Sequence, residues 1–419
     1  MPLAEVTNPQ PAALPRWLSI VGIGEDGIAG LSLTARELIQ SADVVFGGSR
    51  HLKLAAALIR GTPRAWAAPF EPNVAEVLKL RGRAVCVLAS GDPFLHGVGS
   101  LLSRHVSAEE TLSLPKPSAF SLAASHLLWP LTHTSQLSLC GRPLDAIRPH
   151  LHPGTRLLIL TSDGHAPANL ARLLCDLGFG PSRVTVLECL GGPRERVRSA
   201  AANAFDLGSI DALNTVAIEV AAQEGARILS RAAGLADELF EHDGQITKRE
   251  IRALTLSALA PRRGELLWDV GAGSGSVSIE WLLADASLSA IAVERRADRV
   301  ARIKRNALAF AVPHLRVIEG SAPACLEGSA VPDAVFLGGG AAVPDLIDTM
   351  QRALRPGGRL VVNAVALETE AVILKYQSLV GGTLTRISIA RAASIGGEDG
   401  KMTGWRSAMP ILQWVWSKP

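Results

Sequence analysis

The chain is poor in the features that mark several large protein classes. Only five of 419 residues are cysteine (Cys86, Cys140, Cys175, Cys189 and Cys325), and no two form a C-x-x-C pair. A disulfide framework or a zinc knuckle is therefore not expected. Aromatics make up 4%, which leaves few stacking platforms for single-stranded RNA. Charge of one sign is also missing: 42 Lys and Arg stand against 39 Asp and Glu, a net of +3. No nucleic-acid stripe is expected from that balance, although local basic clusters could bind an acidic small molecule. No apolar run reaches membrane-spanning length. The first sixteen residues, with Glu5 and four prolines, lack a basic start followed by an apolar core, so no signal peptide is expected. Long-period repeats and low-complexity tracts are absent too. Together these absences predict a soluble protein of a reducing compartment, cytoplasmic, with no membrane or nucleic-acid partner.

What is present is a 48% apolar composition and a length beyond what one core supports. From Trp17 onward β-rich runs ("WLSIVGI", "VVF", "AVCVLAS", "TRLLILT", "RVTVLECL", "NTVAIEV") alternate with helical patterns, which predicts an α/β domain with room for two lobes. Residues 221 to 246 carry no strand pattern, so the boundary falls there, between a domain over 1–225 and a second over 235–419. In the second, Thr247 with Glu250 three residues on predicts a capping box at a helix start. Strand, helix and strand then alternate to "GGRLVVNAV". The tail differs, because "TLTRISIARA" and "MPILQWVWSK" have no helix between them. They predict an antiparallel hairpin added to a parallel sheet, with Trp414 and Trp416 on one face as core.

Two glycine loops follow apolar strands. In "LLWDVGAGSGSVSIEW" the turn is Gly271, Ala272, Gly273, Ser274, Gly275, and Ser276 stands where a dinucleotide fingerprint has its third glycine. Glu294 closes the next strand, where a carboxylate can accept from both ribose hydroxyls. An acid there also suits NAD, so an NAD-linked oxidoreductase stays open on the loop alone. Ser321 and Ala322 in "EGSAPA" offer a small-residue turn for an adenine, and "FLGGG" leaves open backbone near a reacting centre. This order of strand-end features is similar to the Rossmann-like methyltransferases that use S-adenosylmethionine. An RNA methyltransferase would share the loop but should bring a basic patch.

The other loop, Gly22, Gly24 and Gly27, satisfies G-x-G-x-x-G formally. Glu25 and Asp26 lie inside it, where a pyrophosphate needs positive potential, so a dinucleotide is not expected. A further loop, Gly91, Asp92 and Pro93, follows another apolar strand at a position where ligands bind in such sheets.

The residues carrying these loops also carry a family resemblance. "VGIGEDGIAGLSLTARELIQSADVVFGGSRHL", "LASGDPFLHGVGSLL", "KPSAFSLAASHL" and "LTSDGHAPANLARLL" resemble the tetrapyrrole methyltransferases of corrin biosynthesis. "GQITKREIRALTLSALAPRRGELLWDVGAGSGSVSIEW" resembles the methyltransferase that partners them. The fused order resembles the decarboxylating precorrin-6Y C(5,15)-methyltransferase family over nearly the whole chain. That resemblance implies a bilobal tetrapyrrole-methyltransferase domain and a Rossmann-like one, each with its own S-adenosylmethionine, and a tetrapyrrole substrate. It implies carbon 5 methylation by the first domain, and by the second carbon 15 methylation with loss of the carbon 12 acetate carboxyl. It also implies that Thr247 touches the cofactor, and a homo-oligomer. His96, Ala119 and Cys140 depart from its pattern, standing where tyrosine, serine and histidine are frequent.

A sulfonium is already an activated methyl donor, so alignment and exclusion of water can carry such a transfer, and no H-E-x-x-H or Ser-His-Asp set is needed. Decarboxylation can use a general acid, for which Asp237, Glu238 and His242 are candidates; a solvated linker cluster is the competing reading. Arg50, Arg249 and Arg252 are candidate clamps for a polycarboxylate, against plain surface solvation. His150 and His152 lack other ligand types nearby, so no metal site is expected.

Overall fold

The computed structural model describes residues 16–67, 71–395 and 402–419. The proline-bearing N-terminal stretch, apart from Arg16, lies outside them. The chain divides into two compact units, one over Met1–Leu144 and His152–Arg227, the other over Asp145–Leu151 and Ile228–Pro419.

The first unit holds two five-stranded sheets. In order come β1 (Leu18–Ile23), α1 (Leu33–Ser41), β2 (Val44–Gly47), α2 (Ser49–Ala55), β3 (Thr62–Ala65), α3 (Glu71–Leu78), β4 (Val85–Ser90), α4 (Gly99–Leu102) and β5 (Thr111–Leu114). These strands pair in the parallel order β3-β2-β4-β1-β5. Every residue of β1 is buried, as a central parallel strand covered on both faces requires. The second sheet follows with α5 (Ala119–Leu127), β6 (Thr134–Ser138), β7 (Arg156–Leu160), α6 (Ala166–Asp176), β8 (Arg183–Glu188), β9 (Arg196–Ala201) and β10 (Asn214–Glu219). Its order is β6-β7-β10-β8-β9, antiparallel except for β6 on β7. Phe120, Ala123 and Ala124 of α5 pack on Leu158, Leu187 and Ala217 of that sheet. The expected two lobes are therefore present.

The second unit runs α7 (Arg249–Leu259), β11 (Leu266–Val270), α8 (Ser276–Ala284), β12 (Ser289–Glu294), α9 (Ala297–Ala309), β13 (Arg316–Glu319), β14 (Ala334–Leu337), α10 (Leu346–Ala353), β15 (Arg359–Ala364), α11 (Leu367–Val380), β16 (Thr383–Ile387), β17 (Ala390–Ile395), β18 (Met402–Ser407) and β19 (Ile411–Ser417). Its seven-stranded sheet has the order β13-β12-β11-β14-β15-β19-β16. The first five strands are parallel, and β19 inserts antiparallel between β15 and β16. The tail is thus the expected antiparallel addition, with Trp414 fully buried and Trp416 packed against the same cluster. One finding goes beyond expectation: β17 and β18 form a separate two-stranded arm between the two tail strands.

The helix after the boundary starts differently from the capping box. Lys248, not Thr247, is at the N-cap, no side chain caps it, and the Glu250 carboxylate is drawn 2.5 Å from Arg391 of the arm. Along α7 the buried stripe is Ile251, Arg252, Thr255, Leu256 and Leu259, a helical spacing with two polar members. Among the described residues no helix is long and apolar enough to cross a membrane.

Candidate methyl-donor and substrate cavities

In the second unit, the turn after β11 uses glycine where no other residue would rest easily. Gly271, Gly273 and Gly275 have φ of +75°, +59° and +76°. A Cβ on Gly275 would meet Ile303 at 2.8 Å, whereas one on Gly273 would stand 3.4 Å from the Gln245 carbonyl oxygen. Gly275 is therefore a packing glycine, and Gly273 leaves room above the loop. Glu294, at the end of β12, is pinned by two backbone donors: Gly273 N–H to Oε2 at 3.0 Å and Arg296 N–H to Oε1 at 3.1 Å. Below the loop Asp269 is buried, and that burial pushes its carboxyl up to about 6 despite two bonds from Ser278, with the Glu294 charge adding to the rise.

A cavity of about 680 Å³ opens over these strand ends. Thr247, Gly271, Ala272, Gly273, Glu294, Ser321 and Ala322 all line it. Ser274 and Gly275 do not; the Ser274 carbonyl is turned to Asn306 Nδ2 at 2.9 Å. The residues present fit a nucleoside-bearing methyl donor: an open glycine turn, an oriented carboxylate at the end of the neighbouring strand, and a small-residue turn beyond it.

Three sequence expectations for this unit need correction. Arg252 is no substrate clamp: it is fully buried, 2.5 Å from Glu280 and 3.1 Å from Asp237, with its guanidinium also donating to the carbonyls of Thr247 and Leu235. Asp237 is thereby committed to Arg252, Glu238 is exposed, and His242 Nδ1 accepts from Gly244 N–H at 3.1 Å; none of the three lines the cavity. Arg249 is exposed and outside the lining. The basic residues that do line it are Lys248, Arg295, Arg299 and Arg391, of which Arg299 is paired with Asp243 and Arg391 with Glu250. Asn363, Val365, Ile387, Ile389 and Ile411 form its far wall, on the β15, β16 and β19 side.

The first unit has its own cavity, about 410 Å³, between the ends of β1 and β4 and those of β7, β8 and β10. Gly24, Gly91, Asp92 and Arg50 line it, and so do His96, Ala119 and Cys140, the three departures from the family pattern. Gly22 and Pro93 do not. A Cβ on Gly22 would lie 2.0 Å from the Gly91 carbonyl oxygen, so this glycine lets the two loops pack backbone to backbone. The acids of the first loop are neutralised: Asp26 sits 2.5 Å from Lys116, and Glu25 pairs with Arg50. Arg50 Nη2 also donates to Ser90 Oγ and to His51 Nε2, both at 2.9 Å. Burial, reinforced by the Arg50 charge, holds the His51 imidazole down to about 4, so it is neutral and accepting. His51 and Ser90 escaped sequence reasoning, because a single His or Ser in a helix or at a strand end carries no spacing signal. Among the described residues no group of three His, Cys, Asp or Glu is placed to hold a metal ion, and all five cysteines are free.

Comparison with known proteins covers nearly the whole chain. Residues 18–205 match the family model for tetrapyrrole (corrin/porphyrin) methylases, and residues 238–418 match that for a precorrin methyltransferase domain. A precorrin-6Y C(5,15)-methyltransferase [decarboxylating] of a Sinorhizobium species is 56% identical over 416 residues, 99% of this chain and 100% of that protein. A Mycobacterium tuberculosis protein of the same name is 39% identical over 403 residues, 95% and 99% of the two chains. A cobalt-precorrin-6B C(15)-methyltransferase (decarboxylating) of Salmonella typhimurium is 40% identical over 148 residues, 35% of this chain and 76% of that protein.

Proposed function

The chain belongs to the decarboxylating precorrin-6Y C(5,15)-methyltransferase family, and from that membership we propose that it methylates carbons 5 and 15 of a precorrin-6Y-type tetrapyrrole and removes the carboxyl of the carbon 12 acetate. The observation that supports this most is the presence, in each of two differently folded units, of one cavity at the carboxyl ends of parallel strands. Carbon 15 methylation and decarboxylation are assigned to the second unit and carbon 5 methylation to the first. A relative named for the C(15) and decarboxylating activities alone supports the idea that these two travel together.

S-adenosylmethionine, when bound, supplies the electrophilic methyl. In the second unit Glu294 would accept from the ribose hydroxyls, with Gly271, Ala272 and Gly273 admitting the donor's backbone-facing edge and Ser321 and Ala322 its base. Thr247 closes that side. In the first unit Gly24, Gly91 and Asp92 would serve a second donor, with Arg50 facing the substrate's carboxylates. The meso carbon of a reduced tetrapyrrole is itself nucleophilic, so the residues act by alignment and exclusion of water, which contributes about 7–11 kcal/mol where geometry is good. Lys248 and Arg295, which have no ion-pair partner among the described residues, would hold peripheral carboxylates.

Incubation of the full chain with S-adenosylmethionine and precorrin-6Y, followed by product mass, tests the proposal. Two methyl groups gained and one carboxyl lost are expected; a product with one methyl and an intact carboxyl would refute the assignment to the second unit.

A further inference from the structure

The sheet of the second unit carries two amides on a face where burial calls for hydrocarbon. Asn363 on β15 and Gln413 on β19 are cross-strand partners, and both are buried with Thr255 of α7. Asn363 Nδ2 donates to Thr255 Oγ1 at 2.9 Å, and Gln413 Nε2 donates to Asn363 Oδ1 at 3.0 Å. Three apolar side chains could fill the same space without the desolvation that buried amides and a hydroxyl must offset by hydrogen bonds.

Of the three, only Asn363 lines the cavity. An asparagine amide has two N–H donors and one carbonyl acceptor. Thr255 takes one donor and Gln413 one lone pair of the acceptor, so the donor remaining for an anionic ligand is the second N–H. The sheet order separates this group from the donor site, since Gly271, Glu294 and Ser321 belong to the β11–β12–β13 side and Asn363 to the β15–β19–β16 side. Around Asn363 that wall is Val365, Ile387, Ile389 and Ile411.

We propose that the free Asn363 N–H holds an oxygen of the acetate carboxylate that is lost, and that Thr255 and Gln413 fix the amide with its donor toward the cavity. This rests on the reaction proposed above. In that step the bond between the acetate methylene and its carboxyl carbon breaks, and the electron pair passes into the protonated, conjugated macrocycle. The methylene then regains a proton and becomes a methyl, so the balance is R–CH2–COO⁻ + H⁺ → R–CH3 + CO2 with no oxidant or reductant. The carboxylate charge disperses as the bond breaks. An arginine would stabilise the reactant more than the transition state, whereas a neutral donor on an apolar wall orients the group without that penalty.

The test uses the full chain with S-adenosylmethionine and precorrin-6Y, separating by mass the methylated product that keeps its carboxyl from the one that has lost it. Asn363→Leu is expected to lower carboxyl loss relative to methylation by about tenfold or more, because the carboxylate is no longer held in its productive orientation, with unchanged S-adenosylmethionine affinity. Thr255→Val should shift the ratio the same way, and Thr255→Ser, which keeps the hydroxyl, should restore it. If Asn363→Leu does not fold, the Thr255 pair decides the matter. An unchanged product ratio, or methylation and carboxyl loss falling in parallel, would mean that the amides only fix strand register, and the inference fails while the parent reading stands. A wild-type chain that neither methylates nor decarboxylates brings down both.

Discussion

Glu294 is the residue on which the second cavity turns. Two backbone N–H groups hold it at the strand end, so its remaining lone pairs face the cavity in a fixed direction. Glu294→Gln keeps the shape but replaces a charged acceptor by a neutral one. It is expected to weaken S-adenosylmethionine binding to the second unit about tenfold, the difference between charged and neutral hydrogen bonds, in a calorimetric titration. An unchanged affinity would place the ribose elsewhere. His51 gives a prediction for the first unit. Its imidazole is neutral in the folded chain down to about pH 4, whereas the unfolded chain takes up a proton near 6.5. Below 6.5 the unfolded state therefore binds more protons, so stability of this unit falls as pH drops from 6.5 toward 4 and is level above that window. Urea midpoints at pH 7.5 and 5 should differ more for the natural chain than for His51→Gln; equal differences would exclude this residue as the source. Glu294 and the three positive-φ glycines were legible in the sequence, because strand, turn and acid follow each other at short range. Arg252 was not: its partner Glu280 lies on the next helix, and only the packing of α7 on α8 reveals that the pair is buried.

At the scale of elements, the central strands were legible, and the edges of the first unit's two sheets were not. β3, β5, β6 and β9 carry little apolar pattern, and each of them is an edge of its sheet. An edge strand is covered on fewer sides, so selection for a continuous apolar run is weak there. β1, β4 and β11 are central, nearly all their residues are buried, and the sequence shows them plainly. The start of α7 misled for a different reason. Thr247 and Glu250 have capping-box spacing, but Glu250 is engaged by Arg391 from the arm, a partner 141 positions away. The buried stripe of α7 carries its own prediction. Arg252→Met leaves Glu280 buried without its cation, which costs about 3–5 kcal/mol. The urea midpoint of the second unit should fall accordingly, whereas a surface clamp for substrate would leave it in place. β19 is the keystone of the tail, inserted between β15 and β16, with Trp414 fully buried and its Nε1 donating to the Gly381 carbonyl at 3.0 Å. Trp414→Ala is expected to destabilise the same unit by about 3–5 kcal/mol, measured the same way.

For the whole molecule, two units with unlike sheets each offer a cavity at strand ends, and the sequence announced both through their glycine loops. It did not announce which cationic residues line the second cavity, since Lys248, the Arg295 and Arg299 pair and Arg391 come from three separate segments and meet only in the fold. The central claim is that one chain carries two independent methyl-donor sites. The most direct measurement is a calorimetric titration of S-adenosylmethionine into the full chain and into its Gly273→Arg variant, in which a long cation would fill the second unit's loop. Two equivalents bound by the natural chain and one by the variant is the predicted result. One equivalent, lost altogether in the variant, would contradict the account and leave the first unit without a methyl-donor role.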